Sequence, residues 1–138
     1  MIPAAFTQAI GEFHRQDFYA CHDTLEALWI EALDPEKQFY QGVLQVAVAC
    51  YHLQNHNQRG AVMLLGEGVR RLRDYQPEFS GIDVDRLMAT SLALLAQLQQ
   101  FAVQGDADQA RDDLDLPLPD VQWINSSGKG NSSAENGI

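Results

Sequence analysis

The sequence is short of most residue types from which catalytic sites are recognised. Its 138 residues include only two cysteines. Cys21 and Cys50 fall within apolar helical patterns and form no Cys-x-x-Cys pair, so they read as two buried thiols and not as a disulfide framework. Before residue 126 serine occurs only at Ser80 and Ser91. With no Gly-x-Ser-x-Gly elbow, a serine nucleophile is not expected. Positive charge is also scarce: 9 Lys+Arg stand against 19 Asp+Glu, a formal net charge of −10. Residues 125–138 carry one charge of each sign, Lys129 and Glu135, so the imbalance lies in the rest of the chain. An acidic body repels phosphate backbones and anionic lipid, which disfavours nucleic-acid and membrane partners. The longest apolar runs, such as Val46–Tyr51, fall far short of the ~18 residues that would suggest a membrane span. Residues 1–20 lack a basic leader segment and a long apolar stretch. The expected location is therefore cytoplasmic.

What remains is a helical chain. At roughly 150 residues per domain, the length predicts one domain, and 46% apolar content supplies a core. Phe6, Ile10 and Phe13 give residues 4–15 one apolar face. Asp17 is placed to cap a second helix to about Leu33, on Phe18, Cys21, Leu25, Leu28 and Ala32. Asp34-Pro35 breaks that helix and opens a third over 35–54, with Pro35 at its first position. From Gly42 to Leu53 apolar side chains appear all round this helix, which predicts central burial. Asn57 caps a fourth helix to about Tyr75, residues 76–81 form a loop, and Asp83 caps a fifth helix to about Val103. A short turn or helix at 106–114 precedes Pro117 and Pro119, and Trp123 is placed to staple this segment onto the body. No strand pattern competes. The expectation is an all-α array of about five helices over residues 1–124, followed by a disordered Ser/Gly/Asn-rich tail, 125–138. A weak echo links the helix ends after Phe13, Tyr51 and Phe101, too irregular in spacing for a repeat.

Two polar seams cross this apolar pattern. His22, Glu26 and Trp29, at i, i+4 and i+7, share one face of the second helix. Gln41, Gln45 and His52 share one face of the third. Polar groups on a buried helix must find partners. The expected partner is the seam on the preceding, antiparallel helix. That pairing predicts a half-buried cluster of His22, Glu26, Gln45 and His52 covered by Trp29.

These residues also carry a resemblance. His22-xxx-Glu26-xx-Trp29, then Gln41-Gly42-xx-Gln45-xxxxxx-His52, then Arg59-Gly60-Ala61 resemble the bacterial and archaeal family called domain of unknown function 309. The likeness runs from Phe13 to about Leu72, with Asp23 where the family usually has Glu. It implies a compact helical fold and the importance of the cluster, and it supplies no reaction.

The cluster admits two readings. In one it is a satisfied polar network, with Glu26 orienting His22 and Gln45 bridging to His52, in a domain that binds a small molecule or a protein partner. In the other, His22, Glu26 and His52 hold a divalent metal with an open position for water, as a hydrolase or oxygenase would. Arg70, Arg71 and Arg73, with Arg59 on the Arg70 face, form a basic patch. It is either an anion contact or a complement to the helix C-terminal dipole. Gly66-x-Gly68 lies mid-helix and is read as a close-packing site. Leu92, Leu95 and Val103 exceed what the core needs and leave a homodimer open.

Overall fold

A computed structural model describes residues 2–104 and 116–124. The expected turn at 106–114 and the expected disordered tail at 125–138 lie outside the described residues. Five helices account for most of the rest: α1 (Ala4–His14), α2 (Phe18–Glu31), α3 (Glu36–Gln54), α4 (Gln58–Leu72) and α5 (Val84–Gln104). Helix α3 packs between α2 and α4, α1 lies against α2, and α5 lies against α4. The apolar stripes point where their spacing requires: Phe6, Ile10 and Phe13 of α1 are buried, as are Phe18, Cys21 and Leu25 of α2. Central α3 buries residues around its circumference, including Phe39, Val43, Val46, Ala49, Cys50 and Leu53. On α5, Leu94 and Leu98 are buried, Leu92 and Val103 are exposed, and Leu95 packs half-buried against the core.

Helices α3 and α4 approach closely because α4 has no side chain at the contact. A Cβ on Gly68 would lie 2.9 Å from Val46 Cγ2 and 3.0 Å from the Gly42 carbonyl oxygen. Gly66, two residues earlier, faces open space. Of the Gly66-x-Gly68 pair, only Gly68 serves helix packing.

The α1–α2 and α3–α4 turns share one design, which explains the echo in the sequence. In the first, the Gln16 N–H donates to Phe13 O and the Asp17 N–H to Glu12 O; in the second, His56 N–H donates to Leu53 O and Asn57 N–H to His52 O. This is the Schellman pattern, and Gln16 and His56 adopt the positive φ it needs (62° and 59°). The Gln54 side-chain amide donates to Gln16 O at 3.1 Å, tying the two turns together. Asn57 then caps α4 through Oδ1, which accepts from the Gly60 N–H at 2.9 Å. Asp17 stands at the corresponding position before α2, but its side chain makes no cap hydrogen bond. Pro35 sits one place earlier than expected, at the N-cap of α3.

The loop expected at 76–81 is instead a small hairpin. After one turn of 3-10 helix (Arg73–Tyr75), strand β1 (Glu78–Phe79) pairs antiparallel with β2 (Ile82–Asp83). Ser80 and Gly81 turn between them at φ 52° and 81°, the two left-handed residues of a tight hairpin. Two-residue strands are too short to show alternation, so the sequence pattern does not reveal them. Trp123 does staple the C-terminal segment: it bridges Ile82, and its ring meets Phe6 edge-on at 5.9 Å. Asp83 caps α5, accepting from the Arg86 N–H at 3.0 Å.

The two mid-helix glycines give opposed expectations in urea denaturation. Gly68→Ala forces a methyl into the α3 backbone and lowers stability by about 1–3 kcal/mol. Gly66→Ala, into open space, raises it by about 0.5–1 kcal/mol.

Candidate functional site

The two polar seams do not meet as one cluster; each half finds a different neighbour. On α2, one ligand atom each from His22, Asp23 and Glu26 come within 4.8 Å of one another. His22 Nδ1 lies 3.3 Å from Asp23 Oδ1, so the nearest carboxylate to this ring is Asp23 and not the expected Glu26. His52 is not part of this group. Two tyrosines stand between the histidines: the Tyr19 ring is 6.1 Å from His22 and 5.6 Å from Tyr51, whose ring is 6.3 Å from His52. The expected ligand set of His22, Glu26 and His52 is therefore not assembled, and Asp23 stands in the third place.

His52 belongs to the α3–α4 turn. Its Nδ1 lies 3.3 Å from Asn57 Nδ2. Because Asn57 Oδ1 already accepts from Gly60, the amide nitrogen is the donor and His52 Nδ1 accepts. Gly60 has no side chain where a Cβ would meet Asn57 Cγ and His52 Cδ2 at 3.0 Å each. The resemblance-bearing His52 and Gly60 thus share one structural task, holding the capping asparagine.

The polar seam of α3 faces α4. Arg71 donates from Nε to Gln45 Oε1 at 3.1 Å and from Nη1 to Gln38 Oε1 at 2.7 Å. Gln45 is not a bridge to His52, since its carbonyl is committed to the guanidinium. Gln41 is half-buried on the same face.

Trp29 covers none of this. Lys37 lies 4.7 Å over its ring and donates to its carbonyl oxygen at 2.7 Å, closing the α2–α3 connection. The Trp29 indole N–H is buried without an acceptor among the described residues.

On the opposite side of α2 from His22 the structure has a cleft of about 630 Å³. Ala27, Leu28, Ala32 and Leu33 of α2, with Pro3, give it an apolar lining. Glu31, Glu36, Tyr40 and Ser80 supply the polar groups. Burial, reinforced by the Glu36 carboxylate, pushes the Tyr40 hydroxyl above its ordinary value, so it stays a proton donor. Leu33 is 81% exposed and neighbouring Ile30 63%.

Residues 6–64 match the family model "Domain of unknown function (DUF309)". Residues 6–64 are a DUF309 domain. A relative, "Uncharacterized protein YpuF" of Bacillus subtilis (strain 168), is 33% identical over 105 residues, 72% of this chain. The match takes in 59% of that relative, so the chain spans about three-fifths of its length. No solved structure matches. The DUF309 region contains His22, Asp23, Glu26, Gln45, His52 and Gly60, but ends before Arg71.

Three participants were missed in the sequence. Asp23 is one position from His22, off the helical face, yet a short carboxylate reaches round. Gln38 was legible as a further member of the seam, at spacings of three and seven from Gln41 and Gln45. Asn57 was read as a cap alone, although its amide nitrogen had to find an acceptor.

Both cysteines are inert by position. Burial, with Glu12 and Asp17 adding, pushes the Cys21 thiol up to about 12, and burial pushes Cys50 up as well. Native protein at pH 8 should resist iodoacetamide at both positions, whereas the urea-unfolded chain should take up both equivalents. Thiols raised in the folded state keep stability below their unfolded value and lose it above. Stability should therefore fall as pH rises from about 9.0 toward about 12. Rapid native labelling would contradict this burial.

Proposed function

We propose that this DUF309 domain is a partner-binding module whose cleft between α2 and the start of α3 takes a basic, apolar protein segment. The observation that carries the reading is the cleft itself: small apolar residues form the floor and carboxylates stand at its edge. An apolar concavity with a few convergent polar groups is the usual form of a binding site. Charge chooses the partner. Glu31 and Glu36, on a chain of net charge −10, favour Lys or Arg beside the apolar contact. Exposed Leu33 and Ile30 extend the apolar surface beyond what a small molecule would cover. The helix framework positions the site without loops, so binding needs little rearrangement.

A second reading rests on the His22, Asp23 and Glu26 grouping. One imidazole and two carboxylates on consecutive turns suit a divalent cation such as Mn²⁺ or Zn²⁺, with remaining positions open to water. Metal-dependent hydrolytic or oxygen chemistry would start from this set, with Asp23 in the role first given to His52.

Two titrations separate these readings. In fluorescence anisotropy with a labelled twelve-residue Leu/Lys peptide, Leu33→Asp and Glu36→Lys should each weaken binding roughly tenfold. Glu26→Lys makes the same charge change on another face of α2 and should alter binding less than about threefold. Equal loss in all three variants would indicate general charge attraction and defeat the cleft reading. In calorimetry with Mn²⁺ and Zn²⁺, His22→Ala and Asp23→Asn should abolish any uptake while His52→Ala retains it. Uptake that survives His22→Ala would defeat the metal reading.

A further inference from the structure

Basic residues are few in this chain, yet Arg70, Arg71 and Arg73 converge on one polar cleft of about 450 Å³, together with Gln38, Asp74 and Tyr75. Helix-dipole complementation accounts for cations in the last turn of α4, where Arg70 and Arg71 lie. It does not account for how Arg71 is held. This half-buried guanidinium is oriented by two neutral acceptors, Gln38 Oε1 and Gln45 Oε1. Among the described residues, neither Arg71 nor Arg73 has a carboxylate within ion-pair distance. Amide oxygens satisfy N–H groups and fix the plane of the fork, but they leave its charge uncompensated.

The electrostatics of the cleft follow from its members. Arg70 is paired with Glu67. Asp74 offsets one of the two remaining guanidinium charges, so the cleft keeps a positive balance on a strongly acidic molecule. The Tyr75 hydroxyl donates to Pro35 O at 2.7 Å, which anchors the far wall and aims that group away from a ligand. An arginine whose Nε and one Nη1 hydrogen are committed still has Nη hydrogens to offer, and its plane is already set. That is the arrangement that receives an oxoanion, because little side-chain entropy is left to lose.

We propose that Arg71, preorganised by Gln38 and Gln45 and flanked by Arg70 and Arg73, binds a phosphate group, either free or as the monoester of a small molecule. A tetrahedral dianion can take hydrogen bonds from Arg71 and Arg73 together, and it brings the charge the cleft lacks. The cleft has room for more than one phosphate, which leaves space for an organic body against the Tyr75 ring. A nucleic-acid backbone is disfavoured, since the acidic surface around the cleft would repel neighbouring phosphates.

The test is a titration of the full chain with inorganic phosphate and, separately, glycerol 3-phosphate, at ionic strength held constant with sodium chloride. Arginine Nε–H signals are followed by ¹⁵N NMR. Saturable movement of the Arg71 signal is expected. Tighter binding of glycerol 3-phosphate would assign the ester, and equal affinity would assign free phosphate. Arg71→Lys keeps the charge but loses the fork and should weaken binding roughly tenfold. Arg73→Gln, at an exposed position, should weaken it severalfold without disturbing the fold, and it carries the test should Arg71→Lys unfold. Arg59→Gln, at the other end of α4, should leave it unchanged. Absence of saturation with both probes, or equal affinity in wild type, Arg71→Lys and Arg73→Gln, would overturn the proposal.

Discussion

A helix buried on all sides cannot leave its polar side chains to water, and that constraint on α3 organises this protein. Gln38 and Gln45 meet it by accepting from Arg71 across the α3–α4 contact. His52 meets it by accepting from the Asn57 side chain at the turn into α4. Both solutions lie on the same neighbour, so α4 must approach closely. Gly68 permits this by leaving Val46 and the Gly42 carbonyl room against the α4 backbone. Hydrogen bonding and close packing are thus one device: the guanidinium reaches its amide acceptors because no Cβ holds the helices apart.

The face of α3 turned toward α2 is closed by different means. Cys21, Leu25, Val43 and Cys50 bury there without polar partners, and Tyr19 and Tyr51 stack at 5.6 Å along the edge. This ring pair keeps His22 at the surface, in company with Asp23 and Glu26. The binding cleft opens on the other side of α2, where the chain turns through Ala32 and Pro35. A possible metal group and a possible docking cleft therefore share one helix while facing different directions, and either could act without the other.

Much of the architecture was legible because helical period assigns faces. Phe6, Ile10, Phe13, Leu65 and Leu98 are buried where their spacing placed them. The Asn57 and Asp83 caps follow from side-chain chemistry within one turn. Period does not say which neighbour a face will meet. The seam Gln38–Gln41–Gln45 was visible on α3, but whether it turned to α2 or α4 depended on Arg71, more than 25 residues away and read only as part of a charged patch. The hairpin escaped for a local reason: its strands are two residues long, and its stability comes from Phe79 stacked at 4.8 Å on both Phe39 and Tyr75. The DUF309 likeness marked His22, Glu26 and His52 together, although His52 serves the turn and the other two share a surface group.

The central claim is that the α3 seam is satisfied from α4 and not from α2. Double-mutant cycles measure this directly, using urea stabilities of the Gln45→Ala, Arg71→Ala and His22→Ala chains and their combinations. The account predicts a coupling of about 0.5–3 kcal/mol between Gln45 and Arg71, and none above about 0.3 kcal/mol between Gln45 and His22. Coupling to His22 with additivity toward Arg71 would contradict it.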